Sequence, residues 1–220
     1  MALATEAVDR FPELATFPCF SWRHVVIAPA GHPLTQAGQV TLADVAAYPL
    51  ITYDAAFTGR SSVDAALRAA EVQPVIRMTA MDADVIKTYV GLGMGLGILT
   101  EMALDDDADD GIVVLNHDAA LFEKCFVKIA VRRGKLLRSF AYRFIELFAP
   151  HLDGRRVSAA LERGRPFLLD QEQIPPWSEW VRNDRAVVSA FQRPPRPAQA
   201  GAARRNERSV VHRQLKATRA

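Results

Sequence analysis

The sequence has no uninterrupted apolar run near the roughly 20 residues that a membrane-spanning helix needs. Its opening, MALATEAVDRFPEL, lacks the basic start and apolar stretch of a secretory signal, which points to a cytoplasmic protein. Cysteine is scarce. Cys19 and Cys125 stand far apart without a CxxC partner, as expected of reduced, partly buried thiols. The five histidines, His24, His32, His117, His151 and His212, share no metal-ligand spacing. GxSxG, HExxH and P-loop motifs are all missing, so no catalytic set, metal or cofactor is expected. The acidic run at residues 105–110 lacks the glycine and distal glutamate of a calcium loop and reads as a solvated turn.

What is present is a chain of 220 residues, 50% apolar, long enough to bury a sizeable core. Its net charge of +2 hides an asymmetry: residues 1–152 carry −5 and residues 153–220 carry +7. The second segment, with its RPPRPAQAGAARRNERS stretch, has the composition of a basic, largely disordered tail. Such a tail could meet nucleic acid electrostatically or stay solvated. FLLDQEQIPPWSEWV is its one apolar patch.

The body alternates strand-like and helix-like segments. RHVVIA (residues 23–28) is a β-branched run ended by Pro29, Gly31 and Pro33. Thr41 is a suitable N-cap for a short helix, with Asp44 placed to complete a capping box. LITY (residues 50–53) and VIRMTA (residues 75–80) read as strands. Between them, Val63, Ala66, Leu67 and Ala70 give TGRSSVDAALRAAEV a helical apolar face. Asp82 is the expected N-cap of DADVIKTYV, after which GILT, GIVVLN and FVKIAVRR read as strands and LLRSFAYRFIELFA as a closing helix. The alternation predicts an α/β fold with mostly parallel strands.

Gly91, Gly93, Gly95 and Gly97 recur at every second position. A dinucleotide-binding loop needs GxGxxG between a strand and the helix it opens. Here the helix precedes the glycines and the strand follows, and the third glycine falls out of register. The run is better read as a helix stop at a glycine free to take positive φ, followed by a strand entry that something packs against closely. No phosphate loop is present.

Ligands of open α/β sheets sit beyond the carboxyl ends of strands, where helices begin. The loop after LITY is one such place. Thr58, Gly59, Arg60 and Ser61 would offer hydroxyls, helix-start amides and a cation to a small anion, or would merely cap the helix. Thr79 and Met81 lie at the second strand-to-helix junction and could face the same cleft.

FPCFSWRHVVIAPAGHPL, YPLITYDAAFTGRS, TAMDADVIKTYVGLGMGLGILTEMA and RSFAYRFIELFAPHL together resemble the effector-binding domain of LysR-type transcriptional regulators, in the branch typified by CysB and Cbl. The resemblance implies a periplasmic-binding-protein-like domain of two Rossmann-like subdomains joined by two crossings. Residues 1–33 and 117–152 would form a partial first subdomain and residues 34–116 the second. The crossings would fall near residues 29–33 and 116–121. The resemblance further implies a non-enzymatic sensor of sulfur assimilation and cysteine biosynthesis. Its ligand would be O-acetylserine, N-acetylserine or sulfate. Thr58, Gly59, Arg60 and Ser61 match the branch's cleft loop; Ala28 and Met81 stand where the branch commonly has anion-binding threonines.

Full regulators of this type form homo-oligomers and open with a DNA-binding helix-turn-helix, which this sequence does not contain. RHVVIA and FVKIAVRR are therefore expected to have exposed strand edges, with marginal stability in that half. A bilobed solute-binding protein and a non-functional truncated regulator are the alternative readings.

Overall fold

The computed structural model describes residues 1–5, 8–57, 59–105, 109–163, 167 and 169–183. Contacts divide the chain into Met1–Arg182 and Asn183–Ala220, and the architecture below belongs to the first unit. It is built on two sheets. One holds β1 (Ala2–Ala4), β8 (Cys125–Arg132) and β2 (Leu14–Trp22) in that order, all antiparallel. The other holds β5 (Ile76–Ala80), β4 (Leu50–Tyr53), β6 (Leu96–Thr100), β3 (His24–Pro29) and β7 (Ile112–Val114).

The second sheet is mixed rather than mostly parallel. β4 runs parallel to β5 and β6, while β3 runs antiparallel to β6 and β7. Strand alternation sends its side chains to two faces. On one, Val26, Ala28, Leu50, Leu96 and Ile98 pack with Leu42 and Val45 of α1 (Leu42–Ala46) and Val63 and Leu67 of α2 (Arg60–Ala69). On the other, Ile27, Ile51, Tyr53 and Leu99 pack with Ile86 and Val90 of α3 (Ala83–Gly91).

The helix signals read from the sequence operate as expected. Thr41 and Asp44 form a reciprocal capping box on α1, and the Asp82 carboxylate caps α3 by accepting from Asp84 N. Gly93, at φ +76°, stops α3: its N–H donates to Val90 O and Met94 N–H donates to Tyr89 O. Gly95 lies against the Pro49 carbonyl, and a Cβ on Gly97 would stand 2.6 Å from Ile27 Cγ1. The strand entry is glycine-rich because backbone and side chains close on it.

Two expectations about strand edges fail. β8 lies between β1 and β2, and β3 lies between β6 and β7, so neither RHVVIA nor FVKIAVRR is an edge strand. Leu14–Trp22 supplies the partner that the sequence reading missed. Its Pro18 disguises it as a non-strand, and the register shifts between Pro18 and Phe20, the kind of bulge that accommodates a strand proline.

The presumed disordered tail is also corrected in part. α4 (Ser139–Phe148) does not close the fold, because α5 (Gly154–Arg163) and α6 (Trp177–Asn183) follow. Val157, Leu161, Ile174 and Trp180 are buried. Trp180 Nε1 donates to Phe148 O at 2.7 Å, and the rings of Phe20, Phe148, Trp177 and Trp180 cluster with centroids 4.8–6.0 Å apart. IPPWSEW holds enough aromatic surface to dock, and aromatic burial outweighs the surrounding polar composition. The RPPRPAQAGAARRNERS stretch lies outside the described residues.

Candidate functional site

The two sheets meet at Arg23, which separates β2 from β3. This first crossing comes earlier than residues 29–33, where the resemblance placed it, since β3 already belongs to the five-stranded sheet. Arg23 ties the crossings together. Its guanidinium donates to the carbonyls of Ala119 and Phe122 on the returning chain, the latter at 3.3 Å. Its backbone N–H donates to Glu101 Oε1 at 2.9 Å, and Glu101 N–H donates back to Arg23 O at 3.0 Å. Burial raises the Glu101 carboxyl above the usual carboxylate range, although the Arg23 amide and guanidinium oppose it.

Beside this junction lies a groove of about 390 Å³. Ser61, Ser62 and Ala65 from the first turns of α2 form one wall. Glu123, Lys124, Cys125, Phe126 and Lys128, at and before the start of β8, form the opposite wall, and Thr5 and Asp9 stand at its side. The N-cap of α2 is Gly59, which has no side chain to cap the first backbone amides of the helix. Lys128 is ion-paired with Asp9, whose Oδ1 accepts from Thr16 at 2.9 Å. Burial would push the Asp9 carboxyl up; Lys128 and Thr16 together hold it below its ordinary range. The Ser62 hydroxyl is buried without a hydrogen-bond partner.

The residues singled out from sequence divide. Ser61 lines the groove. Arg60 does not: its Nε pairs with Asp64 at 2.7 Å, a second guanidinium nitrogen donates to Tyr53 O at 2.7 Å, and the side chain is only 13% exposed. Instead of offering a free cation, Arg60 bolts α2 to the end of β4. Gly59 is buried; a Cβ there would come 2.9 Å from His24 Nε2 and 3.3 Å from Trp22 Cη2. Thr58 lies outside the described residues.

Ala28 is 0% exposed in the sheet core, Met81 is exposed, and Thr79 donates to Asp54 Oδ2 at 3.3 Å; none of the three lines the groove. Ser62, whose hydroxyl the sequence placed at this helix start, does line the groove, whereas Lys124 and Lys128 escaped the sequence reading. The two lysines lie far along the chain from α2, and no local spacing joins them to it.

Among the described residues, no His, Cys, Asp and Glu group is arranged to hold a metal ion, and no helix is long and apolar enough to cross a membrane. Asp109 of the acidic run pairs with Lys87 at 2.8 Å. Both cysteines are buried, and burial raises the Cys19 thiol to about 12.

Residues 1–153 match the model of the LysR substrate binding domain. The chain belongs to that family. It is 48% identical over 161 residues to the HTH-type transcriptional regulator SsuR of Burkholderia cenocepacia, covering 73% of this chain and 52% of that protein. It is 42% identical over 164 residues to the regulator CysB of the same species, covering 74% and 51%. The chain thus spans about half the length of these relatives.

Among solved structures, it superposes on the cofactor-binding domain of the Cbl transcriptional regulator with a TM-score of 0.67 and 36% identity, covering 72% of this chain and 69% of that one. The regulatory domain of CcmR from Synechocystis, in complex with 2-PG, shares the fold at a TM-score of 0.60 and 20% identity, covering 68% and 71%. The fold is that of the LysR effector-binding domains, with its periplasmic-binding-protein-like plan. The relatives are transcriptional regulators, not enzymes.

Proposed function

We propose that this chain is the ligand-sensing domain of a LysR-type regulator of sulfur assimilation and cysteine biosynthesis, working in the cytoplasm, and that its ligand is a small anionic metabolite. One observation carries the reading: the groove joins the two sheets, with the first turn of α2 on one wall and Lys124 and Lys128 on the other. Its volume of about 390 Å³ is at the small end of metabolite sites. Serines in the first turn of a helix facing Lys124, with Lys128 beside it paired to Asp9, suit a carboxylate or a sulfate. The matches to CysB and Cbl support O-acetylserine, N-acetylserine and sulfate as the probes to try.

A ligand that touches both walls binds better when the sheets are drawn together, and so shifts the population toward a closed arrangement. In an oligomer, that shift would change the spacing of DNA-binding segments; this domain contributes the sensing. The three-stranded sheet, from residues 1–22 and 125–132, acts as one lobe and the five-stranded sheet, from residues 24–114, as the other.

Calorimetry on the whole chain with the three probes tests this. One of them binds, and Lys124→Ala weakens it by roughly tenfold or more, the scale of a lost charge-assisted hydrogen bond. Binding of none of the three favours a non-functional regulator fragment and overturns the reading.

A further inference from the structure

His24 opens β3 immediately after the Arg23 crossing. It is 0% exposed, and neither ring nitrogen has a hydrogen-bond partner. Its ring lies edge-on to Trp22, with centroids 5.0 Å apart, and tilted against Phe122 of the returning chain at 5.7 Å. Gly59, the N-cap of the groove's helix, closes the remaining side, and only the missing Cβ allows the approach to Nε2. Both crossings and the start of α2 therefore converge on one imidazole. Next along the same helix turn, the Ser62 hydroxyl is also buried and unpartnered, and Ser62 lines the groove.

Buried polar atoms without partners are rare in native proteins, and each one needs a reason. A phenyl ring would fill most of this space without stranding two nitrogens. Burial lowers the imidazole to about 4, so the ring is neutral and carries one donor and one acceptor. Neither finds a partner among the described residues.

We propose that His24 is a positioning residue for the groove: buried without a partner where both crossings and the start of α2 converge, it gains a hydrogen bond when these elements are drawn together on a ligand. The proposal rests on the sensing role given above. A group that goes from unpartnered to partnered on closing favours the closed state, so it raises ligand affinity without touching the ligand. An apolar ring makes no such distinction between the two states.

The test compares wild type, His24→Phe and His24→Gln as whole chains, by calorimetry with sulfate, O-acetylserine and N-acetylserine and by thermal melts. His24→Phe is expected to melt higher than wild type yet bind roughly tenfold more weakly. His24→Gln keeps a donor and an acceptor and stays within about threefold of wild-type affinity. A merely structural histidine would change the melt and leave affinity alone. Equal affinity for His24→Phe and wild type overturns the role of His24 while the groove reading stands. Failure of wild type to bind any probe overturns both. Where His24→Phe does not fold, ¹⁵N resonances of the His24 ring in wild type decide the matter: they shift on adding a binding probe if the nitrogens gain a partner, and their constancy overturns the proposal.

Discussion

The five-stranded sheet is covered by helices from the same stretch of chain, α1 and α2 on one face and α3 on the other, all three lying between residues 42 and 91. The three-stranded sheet takes β1 and β2 from the start of the chain, β8 from more than a hundred residues later, and aromatic cover from beyond residue 170. One sheet is assembled locally and the other from remote pieces. Substitutions at remote pieces should therefore cost the second sheet more than cap or turn changes cost the first.

Trp180→Ala is the severest way to probe the contrast. It removes an indole that packs on Phe20, Phe148 and Trp177 and donates to Phe148 O, for a loss of about 3–5 kcal/mol in urea denaturation. An unchanged midpoint would mean that the C-terminal segment does not belong to that sheet's core. Next comes the junction. Burial sets the folded His24 pKa at about 4 against an ordinary 6.5, so between those values the unfolded chain takes up a proton and the folded chain does not. Stability should fall by about 3 kcal/mol as pH drops through that window, and His24→Phe should abolish this part of the pH dependence.

Within the locally built sheet, Gly97→Ala forces a methyl group against Ile27 and Val90 and should cost about 1–3 kcal/mol. Asp82→Ala, which removes the α3 cap, should cost about 1 kcal/mol. If Asp82→Ala proved as damaging as Trp180→Ala, the division into a local and a remote sheet would collapse.

That division also decided what could be read from the residues alone. Thr41 with Asp44, Asp82, and Gly93 announce themselves because a cap or a left-handed stop involves neighbours within a few positions. The i,i+4 pairing of Arg60 with Asp64 was equally local and could have been found, which would have removed Arg60 from the list of free cations. β2 was hidden by Pro18. The antiparallel pairing of β3 depends on β6 and β7, some seventy and more positions away. Lys124 and Lys128 reach the groove only because β8 lies beside the early strands, a fact of topology that no window of the sequence contains.

The way the C-terminal segment meets β2 has a consequence for solubility. Ser21 N–H donates to Pro175 O at 2.9 Å, and Ser21 pairs with Pro176 in a single parallel bridge. Two successive imino acids have no amide hydrogens to offer a newcomer, so ladder growth past this flank is blocked by covalent chemistry. A pair of prolines thus acts as a terminator against fibrous stacking, on a molecule whose regular strands would otherwise invite it.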